Sequence, residues 1–160
     1  MRQRIYDREA AKEYAQKWAL ARNPAYFDFE NIGGDCTSFA SQCIYAGAKV
    51  MNYTPVVGWF YRTASDRTAS WTGVEYLYNF LTSNNSVGPY ARVATRRVAE
   101  VGDIIQLGNY NDEFYHSLVI TSIFPTIKVC AHTTDSKNRP LYTYNYETAR
   151  ILHIEGVRDW

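Results

Sequence analysis

The chain of 160 residues is long enough to bury a substantial core and gives no reason to divide it, so residues 1–160 read as one domain. A hydrophobic content of 46% with 21% charged residues is that of a globular protein rather than a disordered or fibrous one. A net charge of +1 supplies no field for nucleic acid or an anionic membrane surface, and no window has the apolar length of a transmembrane segment.

The first six residues, Met1-Arg2-Gln3-Arg4-Ile5-Tyr6, lack the apolar stretch of a secretory signal. As written, the chain stays in the cytoplasm; a domain excised from a longer exported chain, acting outside the cell or at its wall, would read the same way. Residues 7–21 predict a helix with Ala10, Ala11, Tyr14, Ala15 and Trp18 on one face, stopped near Asn23-Pro24. A second helix follows Gly33-Gly34-Asp35-Cys36 and ends at Gly47, with Phe39, Ala40, Cys43 and Ile44 as its apolar stripe. Asp35 or Thr37 is its expected cap. Cys36 then lies in the first turn, where the helix dipole and free amides lower a thiol's pKa. The competing reading is a small buried hydrophobe, as most free cysteines are.

Residues 51–72 lack periodicity and read as loops; Trp59 and Trp71 within them are candidate walls of a substrate groove. A third helix is expected over residues 72–81, with Val74, Leu77, Tyr78 and Leu81 inward. Strands follow at 104–107, 116–123, 127–131 and 149–154. Helices first and strands after predict an α+β fold.

His116 opens one strand of a hairpin pair and His132 follows its neighbour, so antiparallel pairing puts both imidazoles at one sheet edge. A cysteine, a histidine base and an orienting group are what thiol acyl transfer needs. His153 reads as an ordinary strand residue. Cys36 and Cys43, about 10 Å apart on one helix, are too distant for a disulfide. Cys43 and Cys130 read as packing residues. Arg139 reads as half of a surface ion pair or, less simply, as a ligand for a substrate carboxylate.

The succession Gly-Gly-Asp-Cys-Thr-Ser-Phe at 33–39, Ser-Gln-Cys at 41–43, Gly-Asp-Ile-Ile-Gln at 102–106, His-Ser-Leu-Val-Ile at 116–120 and Ala-His-Thr-Thr-Asp at 131–135 resembles the bacterial amidase-domain family within the papain-like, NlpC-type cysteine peptidases. Tyr6-Asp7-Arg8, Gly58-Trp59, Ser70-Trp71-Thr72-Gly73-Val74 and residues 135–141 are similar too, with Ser38 where the family usually has asparagine. The resemblance implies a papain-like fold, with the cysteine-bearing helix packed on an antiparallel sheet. It implies a cysteine amidase or peptidase acting on peptide or peptidoglycan-like substrates through a thioester, without cofactor or metal. Cys36 would be the nucleophile and His116 the base. His132 would orient it, with Asp135 as the runner-up, since a carboxylate would better stabilise an imidazolium. Two other classes stay open: a non-catalytic peptide-binding module of the same fold, and a zinc hydrolase using Cys36, His116 and His132.

Overall fold

In a computed structural model describing residues 1–160, the β-branched runs of the second half pair into one antiparallel sheet. Its strands are β1 (Arg2–Arg4), β4 (Gly88–Ala94), β5 (Ile104–Gly108), β6 (Phe114–Ser122), β7 (Lys128–Ala131), β8 (Ser136–Pro140) and β9 (Thr148–Asp159). The order is β1-β9-β5-β6-β7-β8, with β4 also paired to β9. A separate hairpin joins β2 (Tyr61–Thr63) to β3 (Asp66–Arg67). The helices are α1 (Arg8–Trp18), α2 (Cys36–Ala48), α3 (Ala69–Thr72) and α4 (Val74–Ser83). The architecture is α+β.

Asp7 caps α1 by accepting from the Ala10 amide. The helix expected over 72–81 is divided at Gly73, whose extended backbone (ψ 130°) ends α3 and starts α4. β1, β4 and β8 carry no apolar alternation and were not expected. Arg2-Gln3-Arg4 and Ser136-Lys137-Asn138-Arg139-Pro140 lie at the sheet's margins, where polar residues and proline are tolerated.

Side-chain alternation along β6 divides the interior in two. Val119, opposite Ile104 and Cys130, joins the larger core under α1, α2 and α4; Leu118 and Ile120 join a smaller core on the other face with Ile105, Leu107, Val129 and Leu141. Cys43 and Cys130 are wholly buried in the larger core.

Trp59 and Trp71 are fully buried as well, which corrects their reading as groove walls. Their rings lie 4.8 Å apart, and Ser41 Oγ accepts from Trp59 Nε1 while donating to the Trp71 carbonyl. They read as loop residues because the segment lacks periodicity; tertiary packing, invisible to periodicity, carries them inside. Trp59→Ala is therefore expected to cost about 3–5 kcal/mol of stability, read from urea unfolding, as large aromatic truncations do.

Candidate active site

Gly33 and Gly34 both have positive φ (85° and 95°), which turns the chain sharply into α2. Cys36 is thereby set in the first turn, 7% exposed, with its Sγ 3.7 Å from Thr37 Oγ1. Burial pushes the thiol's pKa up; the Ser117 main-chain amide and the Thr37 hydroxyl and amide oppose the rise without reversing it. The helix-terminus expectation of a lowered pKa is thus corrected, because the loss of water outweighs the nearby donors.

Beneath the thiol runs a chain of side-chain hydrogen bonds that sequence reading missed. Thr37 Oγ1 lies 3.0 Å from Ser117 Oγ, which accepts from Gln106 Nε2. Arg150 Nε in turn donates to Gln106 Oε1. The one available signal was period-2 register: Gln106 faces Ser117 across β5 and β6, on the α2 side of the sheet.

His116 adjoins Ser117 but falls, by alternation, on the opposite face with Leu107 and Tyr144. Burial, with the Arg139 guanidinium second, pulls its pKa down from 6.5 to about 4, so the ring is neutral at pH 7. No hydrogen bond joins it to Cys36. It lines a cavity of about 410 Å³ with Tyr115, Thr133, Thr134, Arg139 and Tyr144. Thr133 links that cavity to the cysteine loop, because its Oγ1 accepts from the Asp35 amide at 3.2 Å.

A depressed histidine pKa has a stability consequence of definite sign. Between pH 6.5 and about 4 the unfolded chain holds a proton at His116 that the folded one lacks. The stabilisation from this site is complete above pH 6.5 and declines as pH falls toward 4. At about 1.4 kcal/mol per unit, discounted for partial solvation, it amounts to about 2 kcal/mol. Urea midpoints of wild type and His116→Gln should therefore converge or cross as pH drops through this window; parallel curves would refute it.

His132 does not orient His116, and this corrects the sequence expectation. Its Nδ1 lies 2.5 Å from Asp35 Oδ2 and its Nε2 lies 2.8 Å from the Trp18 carbonyl, so both ring nitrogens are engaged elsewhere. Phe39 stacks on the imidazole at 3.9 Å, and His132 and Asp35 are each 1% exposed. The Trp18 oxygen can only accept, which fixes a proton on Nε2. Asp35, expected as a helix cap, makes no side-chain cap bond; its Oδ1 accepts from the Phe29 amide. Asp135 is no orienter either, because Arg22 holds both its oxygens at 2.9 and 3.1 Å. Cys36, His116 and His132 therefore do not converge as zinc ligands, and no cluster of three His, Cys, Asp or Glu side chains has metal-site geometry.

Residues 5–154 match the family described as Putative amidase domain. Uncharacterized protein YhbB of Bacillus subtilis (strain 168) is 34% identical over 152 residues, covering 90% of this chain and 46% of that protein. The chain thus spans about half the length of this curated relative. No solved structure matches it.

Proposed function

The chain belongs to the Putative amidase domain family, and from that premise we propose that it hydrolyses an amide bond of a peptidoglycan-type peptide, with Cys36 as nucleophile and His116 as base. The observation that carries this reading is the placement of the Cys36 thiol, at the start of α2 and beside the Ser117 main-chain amide, one residue from His116. A cysteine helix packed on an antiparallel sheet is what a papain-like fold requires, and it supports this reading.

The raised thiol pKa and lowered histidine pKa describe a neutral pair, not a resting thiolate–imidazolium. Attack then requires proton transfer as the substrate binds. In this mechanism His116 takes the thiol proton as sulfur bonds to the carbonyl carbon. The amide N–H groups that open α2 stabilise the oxyanion. The C–N bond breaks, His116 returns its proton to the departing amine, and a thioester remains on Cys36. Water deprotonated by His116 then attacks the thioester, releasing the acid and the thiol. Asp35 and His132 serve by holding the loop that presents Cys36.

The test incubates stem peptides with wild type, Cys36→Ala and His116→Ala and follows the products by mass spectrometry. Amine release that both substitutions abolish supports the mechanism; release that survives Cys36→Ala sinks it. A second reading, a peptide-binding module of the same fold, is favoured by the lack of a Cys36–His116 hydrogen bond. It predicts peptide binding without turnover in wild type.

A further inference from the structure

Arg139 carries an unspent charge into the cavity that holds His116. It sits on β8, and no Asp or Glu lies within ion-pair distance of it, unlike Arg22 and Arg150. Its guanidinium carbon lies over the Tyr144 ring, 3.7 Å from the centroid. Nε donates to Thr143 Oγ1 at 2.8 Å and one terminal nitrogen donates to the Thr143 carbonyl at 3.0 Å. Those bonds fix the plane of the fork and leave the other terminal nitrogen without a protein partner. The surface ion pair expected from the sequence is absent.

The surrounding walls are fixed as well. Thr133 and Thr134 line the same cavity with φ of 61° and 60°, a left-handed conformation that β-branched residues rarely adopt. Two consecutive left-handed residues are the backbone of the tight turn that joins β7 to β8, and the turn keeps both threonines at the cavity's edge. A preset guanidinium plane loses little freedom on pairing, and a carboxylate matches its geometry best.

We propose that Arg139 is a specificity residue that binds a free carboxylate of the substrate, so that the chain selects acidic peptides over their carboxamides. This rests on reading the His116 cavity as the peptide site. The carboxylate would pair with the exposed side of the guanidinium while the peptide backbone runs between Thr134 and Tyr115 toward the sheet edge. Pairing would also neutralise the positive charge beside His116, the second cause holding its imidazole unprotonated, and so make it a better base once substrate is seated.

Binding, not turnover, tests this. N-acetyl-γ-D-glutamyl-L-lysine and its bis-carboxamide would be titrated by calorimetry into the full chain carrying Cys36→Ala, alone and with Arg139→Gln or Arg139→Lys. The acid should bind at least about tenfold more tightly than the carboxamide, as a charge-assisted pair allows. Arg139→Gln should remove that ratio and Arg139→Lys should keep part of it. Should Arg139→Gln fail to fold, the salt dependence of the ratio in the parent replaces it, and the ratio should shrink as ionic strength rises. Equal affinity for the two peptides in the parent, or no binding of either, overturns the proposal. If the ratio behaves as expected while wild type cleaves nothing, the carboxylate site stands and the hydrolase reading falls.

Discussion

Asp35→Ala should destabilise the protein by about 3–5 kcal/mol, measured by urea unfolding at pH 7, because it strands a buried histidine. The Trp18 carbonyl keeps a proton on His132 Nε2, and Asp35 is the group that answers Nδ1. Truncation at Asp35 also orphans the Phe29 amide. Asparagine is a different case. Its side-chain N–H can donate to an unprotonated Nδ1 and its carbonyl can still accept from Phe29, so Asp35→Asn should cost no more than about 2 kcal/mol. His132→Ala should approach the alanine penalty by leaving the buried Asp35 Oδ2 with only the more distant Arg22 Nε, at 3.7 Å, and a gap against Phe39. Adding Asp35→Ala to it should cost much less than the sum, since each removes the other's reason to be there. Equal losses for Asp35→Ala and Asp35→Asn would show that the hydrogen-bond accounting is wrong.

Cys36→Ala should lower amide hydrolysis by at least about a thousandfold while leaving the unfolding midpoint within about 1 kcal/mol of wild type, since only one small sulfur is removed. His116→Ala should lose as much. The double variant should be no worse than either, because nucleophile and base act as one unit. Thiol reactivity supplies an independent check. Burial holds the thiol pKa up, so iodoacetamide should modify Cys36 slowly until pH exceeds the ordinary thiol value of about 8.5. Rapid alkylation near pH 6 would mean a preformed thiolate and a different resting state.

The parts of this fold legible in the sequence are those whose burial leaves a period. Phe39, Ala40, Cys43 and Ile44 gave α2, and the β-branched run 117–121 gave β6. β4 opens with Gly88-Pro89, residues that rarely start a strand except at a sheet's margin, and β8 is hidden by its polar composition. The candidate site was legible as residue types and misleading as contacts. Cys36 reaches the Ser117 amide, while no hydrogen bond joins it to His116. Strand order and the family resemblance both point His132 at His116, and neither says which way a side chain faces. Its partner, Asp35, looked like a helix cap, which is what a local rule yields for an aspartate preceding a helix. The contacts that decide its role come from residues 29 and 132.

Because His116 and Ser117 are neighbours that serve opposite faces of one strand, the proposed base and the thiol's support are locked to a single register. Residues 109–113, the link between β5 and β6, act as the adjusting screw of that lock. A one-residue slip of β6 against β5 would exchange the two faces, driving an imidazole into the packing beneath α2 and a hydroxyl toward Tyr144. A two-residue change would keep the faces but slide the pair along the cysteine. A shift of this register would therefore disturb Ser117 and His116 together.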